Sequence, residues 1–255
     1  MTPTDNQRKL AEMILASNFT VALTGAGIST PSGIPDFRSP GGLWTQVNPM
    51  EVAHIDVFDE DPVRFWEFYK ERLDIPNTYE PNAAHYALAE LEVMSLLKGI
   101  ITQNIDGLHE KAGSSEVTEI HGSVRTLSCR HGETYTRQEA DVFFSNDGVP
   151  YCPTHPEQAL KPDVVLFGEM LPQQAVDRSY FLAYRCDLII CLGSSLTVYP
   201  VAELPMYAKA GDAKLVIVTR ESALDEVADL HLSGDIAEEM EGVITAVREL
   251  KQSSV

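Results

Sequence analysis

The sequence predicts an α/β protein with a doubly wound parallel sheet and a small inserted module. Three observations carry that prediction. Apolar runs of strand length alternate with segments of helical spacing. The runs are continuously apolar, as strands buried on both faces of a parallel sheet must be. The first run, Phe19-Thr20-Val21-Ala22-Leu23, leads into Gly25-Ala26-Gly27-Ile28-Ser29, a glycine turn of the kind that brings backbone N–H groups close to a phosphate in Rossmann-like sheets.

Taken in order, residues 6–16 place Leu10, Met13 and Ile14 at helical spacing ahead of that first strand. Residues 83–97 form a second helical segment, started by Pro81 and Asn82. Residues 97–101 read as a buried strand that ends in the polar segment Thr102-Gln103-Asn104-Ile105-Asp106-Gly107, whose amides and carboxylate suit an amide-bearing ligand group such as nicotinamide. Later strands fall at 187–192 and 214–219, and residues 238–251 read as a closing helix. Two stretches interrupt the alternation. Residues 31–47 are rich in Pro, Gly and Ser and read as a long loop over the ligand site. Residues 126–160 are less apolar and hold Cys129, His131, Cys152 and His155. The chain therefore divides into a sheet domain, residues 1–125 and 161–255, and an inserted module, residues 126–160.

Composition bounds the function. The chain has 255 residues, enough for one large domain with an insert, and 44% hydrophobic with 22% charged residues is ordinary for a soluble globular protein. No apolar run reaches the roughly 18 residues needed to span a bilayer, so no membrane is expected. The polar first ten residues show no secretory core, which makes the cytoplasm the expected location. The net charge of −19, from 38 acidic and 19 basic residues, argues against a nucleic-acid partner. It suits cationic, lysine-bearing protein substrates, although excess surface acid also simply keeps a protein soluble. Four cysteines do not make a disulfide scaffold, and Cys186 and Cys191, flanking an apolar run, read as core thiols.

The motifs GAGIST (25–30), GIPDFR (33–38), TQNIDGLH (102–109), His121-Gly122, KPDVVLFGE (161–169) and GSSLTVYP (193–200) occur in the order found in sirtuins. The chain resembles that family, NAD-dependent protein-lysine deacylases, from about residue 19 to 235, with a bacterial-type pattern and class III-like residues for the acyl pocket. The resemblance implies that NAD lies across the carboxyl edge of the sheet. Gly25, Ala26 and Gly27 would offer backbone N–H groups to the pyrophosphate, helped by Ser29 and Arg38. Gln103, Asn104, Ile105 and Asp106 would bracket the nicotinamide and its ribose, with Asp36 and Phe37 contributed by the long loop. Gly193, Ser194 and Ser195 would serve the adenosine side. Thr219, where sirtuins commonly carry Asn, would offer a hydroxyl to the adenosine ribose, and Arg220 could stack on adenine or reach a phosphate.

His121 is implied as general base, an imidazole of near-neutral pKa able to take a proton from a ribose hydroxyl. A lone His before Gly is otherwise a common turn residue. In the family reaction the acyl oxygen of a modified lysine attacks C1′ of the nicotinamide ribose and expels nicotinamide. An alkylimidate follows, and hydrolysis gives free lysine and 2′-O-acyl-ADP-ribose. Val165, Phe167 and Gly168 would pair with the acyl-lysine peptide as an added strand. Sirtuins that prefer acidic acyl groups carry Tyr-x-x-Arg with a small Ala in the acyl pocket. Tyr69, Arg72 and Ala53 match, so succinyl- or malonyl-lysine is expected beside acetyl-lysine, with a guanidinium clamping the carboxylate. The same spacing also arises by chance on amphipathic helices.

Most sirtuins bind structural zinc through two Cys-x-x-Cys pairs. This chain offers Cys129, His131, Cys152 and His155, a Cys₂His₂ set that is chemically sound for zinc, against the alternative of a metal-free module held by its own packing. A sirtuin-type ADP-ribosyltransferase or NAD hydrolase, or a non-enzymatic NAD or ADP-ribose sensor, remains a competing reading. No segment suggests a dimerisation helix, so a monomer is the default.

Overall fold

The structure, a computed structural model, describes residues 2–36, 42–220 and 224–253. Along them the strands run β1 (Thr20–Thr24), β2 (Leu97–Thr102), β3 (Val117–Glu119), β4 (Gly122–Ser128), β5 (Thr134–Thr136), β6 (Lys161–Val164), β7 (Leu188–Leu192), β8 (Lys214–Val218) and β9 (Leu230–Leu232). The longer helices are α1 (Asp5–Ala16), α2 (Ile55–Glu60), α3 (Pro62–Tyr69), α4 (Ala83–Val93), α5 (Gln173–Arg185), α6 (Leu204–Ala210) and α7 (Ile236–Ser253).

Six strands form a wholly parallel sheet in the order β3-β2-β1-β7-β8-β9. The apolar runs that predicted it alternate between its faces with the strand period of two. Ala22, Ile190, Leu192, Val216 and Val218 join α1, α4 and α7 in one core. Val21, Leu23, Ile189, Leu215 and Ile217 join α5 and α6 in the other. Cys186 and Cys191 lie in this second core as free, buried thiols, as expected. α1 begins with a capping box, in which the Thr4 hydroxyl accepts from Gln7 N–H and the Gln7 side-chain oxygen accepts from Thr4 N–H.

Strand order reverses at β1, whose neighbours β2 and β7 lead to opposite edges of the sheet. The crevice beyond the carboxyl ends of strands at such a reversal is where open α/β folds place their ligands. The loops after β1, β2 and β7 all arrive there.

A second, smaller body carries the antiparallel sheet β5-β4-β6. The predicted insert, 126–160, lies within it, but its core also takes in α2 and α3: Phe58, Phe65 and Trp66 pack with Val124, Leu127 and Leu160. Trp66 is fully buried and its indole N–H donates to the Leu160 carbonyl at 3.2 Å. Residues 43–78 are thus bound to this body by aromatic packing, which local sequence patterns do not reveal. The predicted helix 83–97 is shorter than expected: Ser95 adopts φ 60°, and Leu97 already pairs with Thr20 as the first residue of β2. No helix among the described residues is long and apolar enough to cross a membrane.

Candidate active site

The floor of the crevice is set by two glycines. A Cβ on Gly193, which adopts φ 61°, would lie 2.3 Å from Ile28 N, and one on Gly27 would lie 2.7 Å from Gly193 Cα. Only glycine permits this approach of two turns. It also corrects an expectation. Gly27 N–H donates to the Gly193 carbonyl at 2.8 Å and Gly25 N–H to the Leu192 carbonyl at 3.0 Å, so both are used in joining the turns. Ala26 N–H has no acceptor among the described residues and is the donor left for a phosphate.

Ser29 is also placed differently from expectation. It is buried, and its hydroxyl donates to Asp106 Oδ2 at 2.7 Å and accepts from Asn104 Nδ2 at 3.1 Å. Its place is therefore inside the polar loop, holding Asp106. Asn104 also donates to the Gly25 carbonyl at 3.2 Å, and Asp106 Oδ1 accepts from Leu108 N–H at 3.0 Å. Burial pushes the Asp106 carboxyl up, while the Leu108 and Ser29 hydrogen bonds pull it back. Ile105 packs on the second body, so the loop 103–106 spans the junction between the two bodies.

Gln103 ties three motifs together. Its N–H donates to the Thr24 carbonyl at 3.0 Å, its Nε2 to the Ser194 hydroxyl at 2.7 Å, and its carbonyl lies 3.0 Å from His121 Nδ1. A carbonyl only accepts, so His121 Nδ1 carries the proton and Nε2 keeps the lone pair. Burial moves the His121 pKa below its ordinary value, against the pull of the Gln103 carbonyl. The imidazole is therefore neutral at pH 7, in the tautomer a general base needs. The His121 carbonyl accepts from Val165 N–H at 2.8 Å, which couples His121 to the segment expected to hold peptide.

That segment is less extended than predicted. β6 ends at Val164, and beyond it only Phe167 keeps a strand-like bridge, to His54. Phe167 N–H donates to the Ala53 carbonyl at 3.0 Å. Leu166 is used locally: its N–H donates to the Glu169 carboxylate at 2.8 Å and its carbonyl accepts from Glu169 N–H at 3.0 Å. Gly168, at φ 87°, leaves no room for a side chain beside His54. Val165 is half-buried, whereas Phe167 and Gly168 are exposed, Phe167 to 42%.

Ala53 and Tyr69 belong to the second body, and Arg72 lies close enough to Tyr69 for its charge to act on the phenol. Ala53 and Tyr69 are buried in the same core, and the Tyr69 ring stacks on Phe65 at 4.6 Å between centroids. Burial raises the Tyr69 phenol above its ordinary value, and the nearby Arg72 charge lowers it in part. Tyr69 and Arg72 do not share one helix: α3 stops at Tyr69 and a 3₁₀ turn, Lys70–Asp74, carries Arg72.

On the adenosine side, Ser194 is buried against Gln103 and Leu196, whereas Ser195 is exposed and pairs with the Thr197 hydroxyl at 3.0 Å. Thr219 donates its N–H to the Leu232 carbonyl at 3.1 Å and accepts from His231 Nε2 at 2.7 Å through its carbonyl. Arg220 lies 3.6 Å from Asp235. Asp36 accepts from Leu43 N–H at 2.9 Å through its carbonyl. Phe37 and Arg38 lie outside the described residues.

The metal expectation is corrected in one ligand. Donor atoms of Cys129, Glu133, Cys152 and His155 lie within 4.8 Å of one another. His131 is not among them; its ring stacks on His155 at 4.0 Å. The Cys-x-His spacing turns His131 outside the cluster, and Glu133, two residues on, takes the place. His155 Nδ1 lies 3.9 Å from Cys129 Sγ, 3.8 Å from Cys152 Sγ and 3.4 Å from Glu133 Oε1. A tetrahedral zinc with ordinary bond lengths has ligand edges of about 3.3–3.8 Å, and the three distances from His155 Nδ1 lie in or just beyond that range. Glu133 Oε2 is buried without a hydrogen-bond partner among the described residues. Burial pushes the Cys152 thiol up, but hydrogen bonds with Thr154, His155 and Tyr135 outweigh it and bring it down to about 6.

Sequence reading missed a buried network beneath the polar loop. His109 Nε2 bonds the Thr24 hydroxyl at 2.9 Å, Thr24 donates to Thr102, and the Thr102 hydroxyl accepts from Asn104 N–H at 3.1 Å. His85 packs against His109, with ring centroids 4.9 Å apart. His109 ends one quoted motif, but that it shares a buried cluster with His85 could only come from the fold.

A glycine-lined cradle at the switch point of a doubly wound sheet, with a neutral imidazole beside it, defines a nucleotide-handling α/β enzyme site. Residues 25–200 match the model of the Sir2 family. NAD-dependent protein deacylase 2 of Archaeoglobus fulgidus is 45% identical over 97% of this chain and 98% of its own length. An NAD-dependent protein deacetylase of Saccharolobus solfataricus is 46% identical over 87% of this chain and 89% of its own. Among solved structures, a Sir2–p53 peptide–NAD⁺ complex superimposes with a TM-score of 0.83, 40% identity, and coverage of 96% of this chain and 98% of that one. The chain belongs to the Sir2 family.

Proposed function

We propose that the protein is an NAD-dependent protein-lysine deacylase that transfers the acyl group to ADP-ribose, frees nicotinamide, and accepts acidic acyl groups beside acetyl. The observation that carries the catalytic part is the His121–Gln103 contact, which fixes the tautomer and leaves Nε2 able to take a proton. NAD supplies an electrophilic ribose carbon with nicotinamide as leaving group. Ala26 N–H and the glycine cradle would hold its pyrophosphate. Asp106, fixed by Ser29 and Leu108, would accept from the carboxamide NH₂. His121 Nε2 would take the proton of a ribose hydroxyl, and its carbonyl, bonded to Val165 N–H, would set its distance from the peptide. The acyl chain would lie between Ala53 and Tyr69, with the Arg72 guanidinium opposite its carboxylate. Cys129, Glu133, Cys152 and His155 would hold a structural zinc ion, remote from the proton transfer.

The test is mass spectrometry of the protein with NAD and an acyl-lysine peptide. The expected products are free lysine peptide, nicotinamide and 2′-O-acyl-ADP-ribose in equal amounts. Nicotinamide release without acyl transfer would replace this reading with NAD hydrolysis.

A further inference from the structure

The Arg72 side chain turns back along the chain to Phe68. Its guanidinium carbon lies 3.5 Å from the centre of the Phe68 ring, and its Nη1 donates to the Phe68 carbonyl. That carbonyl lies where α3 passes into the 3₁₀ turn Lys70–Asp74, four residues before Arg72. The ring face attracts the same cation through its quadrupole. Two attractions from one residue thus fix the guanidinium plane before any ligand arrives. Nε and Nη2 have no acceptor among the described residues, which leaves the donor edge that a carboxylate binds bidentately. The direction is right for the pocket, because the Tyr69 phenol feels the Arg72 charge and the Phe68 and Tyr69 rings meet edge to face at 5.7 Å.

We propose that Phe68 is a positioning residue for acyl specificity: its ring and carbonyl hold the Arg72 guanidinium with one donor edge open to the carboxylate of an acidic acyl chain. This rests on the acidic-acyl reading given above. Without the platform, Arg72 would be a long side chain free to rotate, and ordering it would fall on the ligand. The preference for succinyl over acetyl would then be a property of the Phe68–Arg72 pair. Phe68 would act through Arg72 and not on the reacting atoms, so it should act on KM for the acidic acyl group and leave kcat aside.

The experiment measures KM and kcat with succinyl-lysine and acetyl-lysine versions of one peptide, for the wild type, Phe68→Leu, Phe68→Tyr and Arg72→Met. Phe68→Leu should raise the succinyl-to-acetyl KM ratio about ten-fold, which converts to about 1.4 kcal/mol, within the range of a partly desolvated guanidinium–ring contact. Phe68→Tyr, which keeps the ring and the packing, should restore the ratio. A lower ratio in Phe68→Leu would overturn the proposal, because Phe68 would then be a resting place that Arg72 must leave. An unchanged ratio in Phe68→Leu, with the ratio lost in Arg72→Met, would remove the platform and keep the clamp. A ratio indifferent to Arg72→Met would sink the acidic-acyl reading itself, and the platform with it.

Discussion

The two sides of the cleft differ in what they are made of. At the switch point the site is backbone: turns after β1 and β7 touch through Gly27 and Gly193, and the loop after β2 locks on by amide hydrogen bonds. On the side proposed for the acyl group it is side chain: Ala53, Phe68, Tyr69 and Arg72 come from three short elements beside an aromatic core. The backbone site has almost no freedom to vary, since a single Cβ would break it. The side-chain site can be re-specified residue by residue without disturbing the sheet. Under the function proposed above, the fixed side would hold the one cosubstrate and the variable side would choose the acyl group.

The comparison can be broken at several points. Removing the base should have the largest effect: His121→Ala should lower turnover by about 10²–10⁴-fold while NAD still binds, as read by single-turnover kinetics and calorimetry. Next, Gly193→Ala should cost the fold about 1–3 kcal/mol for the left-handed backbone alone, with a further clash against Ile28, seen as a lower Tm and weaker NAD binding. Tyr69→Phe, by contrast, should leave NAD affinity unchanged. The metal cluster sharpens the contrast within the second body. Glu133→Ala should lower bound zinc and Tm, whereas His131→Ala should leave the zinc content near that of the wild type, as measured by elemental mass spectrometry.

A smaller effect concerns pH. Burial holds the His121 pKa below its ordinary value of about 6.5. The working form is the neutral imidazole, so activity is lost as pH falls through the lowered pKa and not before. The acid limb of kcat/KM should lie below pH 6.5, and a midpoint above 6.5 would mean that another group controls the rate.

The parts of the molecule legible in the sequence are those governed by local rules. The four principal strands β1, β2, β7 and β8 follow from continuous apolar runs, and their observed ends differ from the expected ones by a residue. The loops of the switch point follow from glycine spacing and amide-rich motifs. What was not legible needed the fold. Ser29 reads as a phosphate ligand beside glycines, yet packing turns it inward to Asp106. His131 reads as a ligand by residue type, yet Glu133, indistinguishable from surface acid in the sequence, sits in the cluster. The tie between residues 43–78 and the inserted sheet rests on Trp66 meeting Leu160, ninety-four residues away. The platform under Arg72 depends on a side chain folding back on its own helix end, which spacing alone could not show.

The most direct measurement is kcat/KM by nicotinamide release with succinyl-lysine and acetyl-lysine forms of one peptide, for the wild type and Arg72→Met. A backbone-built NAD site and a side-chain-built acyl pocket predict a succinyl preference that falls about 10–100-fold in the variant, the worth of a charge-assisted bidentate contact, with acetyl turnover and NAD affinity held. Faster acetyl turnover in the wild type, unaltered by the substitution, would contradict the account and make Tyr69 and Arg72 an accident of spacing.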